Sequence, residues 1–121
     1  FFFIIFLNFN PGIYLEFKNK LEQNSENIEQ GRLLYQQNAE PSCVLCHGRA
    51  GDGLGQMGSA LIPPPRNFTC VETMDSVSDG QLFWIIRNGS SGTAMPAFKN
   101  LDEDQIWQLI HYIRHFSKKD H

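Results

Sequence analysis

The chain has 121 residues, enough for one hydrophobic core and too few for two. Its hydrophobic fraction of 41%, charged fraction of 19% and net charge of −3, with both signs interspersed, are those of a globular domain and exclude a basic nucleic-acid-binding face. The three cysteines, Cys43, Cys46 and Cys70, are odd in number, which excludes a disulfide framework that pairs them all.

Residues 1–24 read as an apolar N-terminal extension opening on "FFFIIFLNF". Its unbroken apolar run falls well short of the roughly 20 residues that cross a bilayer as a helix. Two readings stand: the end of an export signal or anchor, with the composition of a signal's apolar centre but no small-residue cleavage site, or a segment packed on the domain or on a partner. Residues 25–117 form the domain and residues 118–121 a polar tail.

Within the domain, Ser25 is the expected N-cap of a helix over 26–37, with Glu26 and Glu29 in its first turn, where the helix dipole favours negative charge. Gly31 in its middle costs about 1 kcal/mol relative to Ala, so another element is expected to approach closely there. Pro41 disfavours helix at Glu40 and ends the segment. Residues 48–69 hold five glycines and the run Pro63–Pro65 with no helical or strand period, a loop long enough to need something that organises it. A second helix starts at Ser78, where Gln81 completes a capping box and Val77 and Leu82 are spaced as a staple; Asn88 and Gly89 stop it. Leu82, Phe83, Trp84, Ile85 and Ile86 predict burial on several sides. The last helix begins at Asp102, boxed by Gln105 and stapled by Leu101 and Ile106, and repeats Ile106, Leu109, Ile110, Ile113 and Phe116 at helical spacing, with Gln108, His111, Arg114 and His115 on the other face. Nothing alternates as a strand does, so the fold class is all-α, short helices joined by long loops.

The chemistry lies in "CVLCH", Cys43 to His47. Structural zinc needs four ligands, and no second ligand pair is present. A thioredoxin-like dithiol sits after a strand, and no strand precedes Cys43. Covalent haem uses every residue of the motif: each thiol bonds one vinyl group of a single macrocycle, and His47 reaches its iron. A second axial ligand is then required. Met95, in the "NGSSGTAMPAF" loop shaped by Gly92 and Pro96, is the leading candidate, because a thioether in a surface loop is explained by ligation. Cys70 has three readings: a small buried hydrophobe, an intermolecular disulfide partner, or a thiolate ligand in place of Met95.

Taken in order, Gly31 and Tyr35, CVLCHG, "GDG", "PPPRNF", the helix ending in Asn88-Gly89, "MPAF" and the last helix with Leu109 and Tyr112 resemble a class I c-type cytochrome over about Ile28 to Phe116. The resemblance implies the cytochrome c fold around one covalently bound haem c, held by Cys43 and Cys46, with His47 and Met95 on the iron. It further implies that Gly31 and Tyr35 cross the last helix at Leu109 and Tyr112. A carbonyl of the 63–65 run, such as that of Pro64 or Pro65, would accept the His47 Nδ1 hydrogen, and Arg66 and the Trp84 indole would donate to a propionate.

With both axial positions filled, the expected activity is one-electron exchange at a comparatively high potential, with no independent enzymatic role. Leu45, Leu54, Leu61, Ile62, Phe68, Phe83, Trp84, Ile85 and Phe98 are the expected pocket wall. The expected partners are redox proteins or a membrane respiratory-type complex, with residues 1–24 as a membrane or subunit contact. The periplasm or another exported compartment is the expected location. The competing reading is a gas-binding or sensing haem protein with Cys70 or an open site at the distal position.

Overall fold

The computed structural model describes residues 17–118. The N-terminal run therefore lies outside the described residues, apart from 17–24. Among the described residues five α-helices follow in order: α1 (Ser25–Leu33), α2 (Val44–His47), α3 (Val71–Asp75), α4 (Asp79–Asn88) and α5 (Glu103–His115), with a π-helical turn, Leu34–Asn38, continuing α1. Among the described residues there is no strand, as the sequence pattern predicts.

α1 starts one residue earlier than expected, because Asn24 is the cap: its side chain accepts the Asn27 backbone N–H at 2.8 Å. The Asn27 amide in turn donates to the Glu22 carbonyl at 2.7 Å, which fixes the entry into the helix. Both later capping boxes are complete, Ser78 with Gln81 on α4 and Asp102 with Gln105 on α5. Leu101 and Ile106 are buried beside the second box, where a hydrophobic staple requires them.

The core lies between α1, its π-helical turn, α4 and α5, with Tyr35, Met74, Ile106, Leu109 and Ile110 fully enclosed. α1 crosses α5 at Gly31, where a Cβ would drive into the Gln108 carbonyl oxygen and come within 2.9 Å of the Tyr112 Cβ. The cost of glycine inside a helix is thus offset by two helix axes brought close together. Tyr35, one turn on, packs its ring 5.3 Å from that of Tyr112.

The polar face expected on α5 is only partly open to water. His111 is buried, and its Nε2 lies 2.8 Å from the Leu21 carbonyl oxygen. Arg114 pairs with Asp79 at 2.9 Å and also donates to the Met74 and Val77 carbonyls. Residues 17–21 add a strap across this side: Gly80 N–H donates to the Phe17 carbonyl, Asn19 N–H to Asp79, and the Asn19 amide to the Trp107 carbonyl. Helical spacing gives two faces, and here the second is partly covered by other parts of the chain, with His115 left exposed.

Candidate functional site

The site is built around α2, which carries both motif cysteines. Two features of the preceding segment set its start. The π-helical turn displaces the carbonyls of Tyr35 and Gln36, and the Ser42 hydroxyl donates to both, at 3.2 and 3.0 Å. Gly48 then ends α2 with φ +85°, a conformation that a residue with a side chain enters only with strain. Its carbonyl accepts the buried Tyr35 hydroxyl at 2.6 Å. A helix this short leaves most of its carbonyls unpaired, and the glycine loop supplies the donors: Gly53 N–H to His47, Gly55 N–H to Cys46 and Met57 N–H to Leu45, at 2.8 to 3.0 Å.

Cys43 and Cys46 stand one helical turn apart and are unpaired thiols. Burial pushes the Cys43 thiol up to about 12, so it remains protonated in the folded protein. The His47 ring stacks on Phe68 with centroids 4.3 Å apart. Its Nδ1 lies 3.1 Å from the Arg66 carbonyl oxygen, which can only accept, so Nδ1 carries the hydrogen and the lone pair is on Nε2. Burial lowers the His47 pKa, and the hydrogen bond to Arg66 only partly opposes this. The ring is therefore held neutral, the form that ligates metals.

This geometry corrects the expectation of a proline acceptor. The Pro65 carbonyl is turned towards Gly53, and the next carbonyl along, that of Arg66, faces His47. The register is set at Phe68, whose N–H donates to the Gly51 carbonyl at 2.6 Å.

Cys43, Cys46 and His47 line a cavity of about 510 Å³, within the range of small-molecule and cofactor sites. Met95 lines the same cavity. Its loop is held by Thr93, whose hydroxyl accepts the Met95 N–H at 3.1 Å, and by Ser90, whose N–H donates to the Met95 carbonyl at 3.2 Å. Pro63, Pro64, Pro65 and Arg66 line it as well, and Arg66 is the one residue among the lining side chains with a fixed charge.

The expected wall is met at Leu61, Phe68, Ile85 and Phe98 and not elsewhere. Leu54 and Ile62 are 76% and 94% exposed, and Leu45 and Phe83 lie away from the cavity. Trp84 also needs correcting: it lines a separate pocket of about 210 Å³ with Phe17, Phe83, Arg87 and Trp107. At 100° per residue, α4 turns Ile85 and Ile86 to the cavity and Phe83, Trp84 and Arg87 to the opposite side. Ile86, Leu109 and Ile113 complete the wall and were not singled out, although the spacing of Leu109 and Ile113 on α5 was the available signal.

Cys70 does not line the cavity. It is half-exposed at the start of α3, and its sulfur accepts the Thr73 hydroxyl at 3.0 Å, which lowers the thiol pKa. The expectation of a small buried hydrophobe is corrected to that extent; Thr73, not Cys70, reaches the cavity wall.

Two thiols one turn apart, a neutral imidazole beside them, a thioether, apolar walls and a single cationic residue fit a haem attached through cysteine. Residues 26–113 match the family model described as cytochrome c oxidase, cbb3-type, subunit III. The chain belongs to this family of c-type cytochromes. It is a class I c-type cytochrome, a domain whose family binds haem c covalently.

Solved structures agree with the fold. A chain of the Kuenenia stuttgartiensis reducing HAO-like protein complex Kustc0457/Kustc0458 aligns at a TM-score of 0.68 and 28% identity, over 81% of this cytochrome and 47% of that chain. This cytochrome thus spans about half the length of that relative. The c-type cytochrome SorU from Sinorhizobium meliloti aligns at a TM-score of 0.57 and 20% identity, over 78% and 94% of the two chains. Among curated proteins no relative matches.

Proposed function

We propose that this cytochrome carries one haem c, bound through thioethers from Cys43 and Cys46, with His47 and Met95 as axial ligands and Arg66 as the counter-charge to a propionate. The observation that carries this reading is that a single cavity gathers Cys43, Cys46, His47 and Met95 and leaves Cys70 outside. Haem c held in this way supplies reversible one-electron exchange between ferrous and ferric iron.

The protein's own contribution is positional. The Arg66 carbonyl orients the His47 ring and keeps Nε2 unprotonated. Thr93 and Ser90 fix the backbone of Met95. Phe68, Ile85, Ile86 and Phe98 exclude water, which together with a thioether ligand favours the ferrous form and a comparatively high potential. We assign the cytochrome to an exported compartment, the periplasm in a bacterium, as a component of an electron-transfer assembly. Residues 1–24 serve there as its contact with membrane or subunit. The family description and the assembly named for the Kuenenia relative support this placement.

The test is the absorption spectrum of the matured protein. A methionine-type charge-transfer band in the ferric state is expected, lost in Met95→Ala and kept in Cys70→Ala. The opposite pattern would assign the distal position to Cys70. The alkaline pyridine spectrum is expected to give one haem per chain, with both vinyl groups saturated.

A further inference from the structure

Buried donors in folded proteins are almost always paired, so an unpaired one marks a place where an acceptor is missing. Among the described residues two buried side-chain nitrogens lack a hydrogen-bond partner, Arg87 Nε and Trp107 Nε1. Both residues line the second pocket, the one of about 210 Å³ on the side of α4 away from the haem cavity. They come from different helices, Arg87 from the last turn of α4 and Trp107, 2% exposed, from α5. Two orphaned donors thus converge on one pocket.

The strap adds charge at the same place. Lys20, exposed, lines the pocket with Arg87, and neither enters an ion pair among the described residues. The Arg87 guanidinium carbon lies 5.2 Å from the centre of the Phe83 ring, and the Lys20 ammonium lies 5.7 Å from that of Phe17. A ring face steadies a cation and leaves N–H groups for another acceptor. Lys99 stands at the rim as a third cation, its ammonium 3.1 Å from the side-chain oxygen of Asn88, which also lines the pocket. The opposing charge on the lining is the Glu103 carboxylate, exposed at the start of α5, while Asp102 beside it is turned to cap the helix at Gln105.

We propose that this pocket binds a phosphate group, held by the Arg87 fork and the Lys20 ammonium, with the Trp107 indole N–H as a third donor. Arg87, half-buried and resting on one ring, turns its planar fork to the ligand and brings Nε with it. A carboxylate offers two oxygens and one charge. A phosphate group offers three oxygens and up to two charges, the better match to three donor groups of which two are cationic. Two sources supply that chemistry, free phosphate and the headgroup of an anionic lipid. The site is independent of the haem reading, since no residue of the haem cavity lines it.

The chain has two tryptophans, so the matured ferrous protein gives two indole N–H signals by NMR, assigned with Trp84→Phe. Titration with inorganic phosphate at low salt is expected to move the Trp107 signal along a saturating curve with a midpoint below about 10 mM. Arg87→Gln is expected to weaken binding about tenfold or more, and Arg87→Lys less, because the charge stays and the fork is lost. Glu103→Gln removes the opposing carboxylate and is expected to tighten binding about two- to fivefold. Arg49→Gln also removes one exposed cation, but outside the pocket, and is expected to leave binding unchanged. The haem spectrum is expected to be the same in all of these variants.

Dihexanoyl phosphatidylglycerol below its micelle concentration separates the two sources. Competition between it and inorganic phosphate for the Trp107 signal would assign the site to a lipid headgroup, and binding of phosphate alone would assign it to free phosphate; each sustains the proposal. A Trp107 signal that stays unmoved at about 50 mM phosphate would overturn it, as would equal movement by chloride at matched ionic strength. Equal weakening by Arg87→Gln and Arg49→Gln would show a response to net charge alone and would overturn it too. Should Arg87→Gln fail to mature, Glu103→Gln decides, and phosphate binding no tighter than in the unmutated protein would sink the site.

Discussion

Tyr35 shapes the site from a position that never meets the cavity. Its ring is fully enclosed, and its hydroxyl donates to the Gly48 carbonyl, the point where the cysteine-bearing helix stops. Burial raises the phenol pKa. Removing the hydroxyl strands a buried carbonyl, and Tyr35→Phe should cost about 1–3 kcal/mol at neutral pH, measured by denaturant unfolding. The alkaline limb behaves differently. Above about pH 10 the unfolded chain releases the Tyr35 proton and the folded protein retains it. The stability associated with Tyr35 is therefore complete below that pH and is lost as pH rises; Tyr35→Phe should show a shallower decline there, and an unchanged slope would refute the assignment.

Which residues of the site could be read from sequence follows from what fixes them. Cys43, Cys46 and His47 could be picked out by local spacing alone, and Met95 by the punctuation of its loop, although its packing against the core also suits a gap-filling residue. The carbonyl facing His47 could not be read, because the register of Pro63–Arg66 depends on a hydrogen bond between Phe68 and Gly51, 17 residues apart. Trp84 was misplaced because an apolar run on α4 does not say which side meets the cavity.

Among the elements, the contact of α1 with α5 at Gly31 makes a prediction that opposes intrinsic propensity. Alanine is favoured over glycine in a helix by about 1 kcal/mol, yet Gly31→Ala places a methyl group against the Gln108 carbonyl. The expected result is a net loss of about 1–3 kcal/mol, as for other overpacked interiors, seen as a lower midpoint in denaturant. Asp102→Ala removes the cap of α5 and should cost about 1 kcal/mol, with recovery in Asp102→Ser. The capping boxes were legible because they are written within four residues. The helices α2 and α3, four and five residues long, were not, because they complete barely one turn and show no period to detect.

For the whole molecule, the cavity is the main interruption of the core, bordered by Ile86, Phe98, Leu109 and Ile113. Its walls are largely apolar and enclose about 510 Å³, so without the group that fills it a large part of the apolar interior faces water. Chain produced without haem attachment should therefore lack a cooperative thermal transition by circular dichroism. A sharp transition in that material would show that the helices hold the fold by themselves.

The strap at residues 17–21 has a consequence for how the cytochrome is carried. It runs beside the second pocket, on the side of α4 that faces away from the cavity, and is stitched there through Gly80, Asp79 and Trp107. Whatever holds the chain ahead of Phe17 pulls on the back of the domain. If the contact proposed for the N-terminal residues forms, it would take hold on this far side and leave the cavity mouth clear, so mooring and electron traffic would not compete for the same surface.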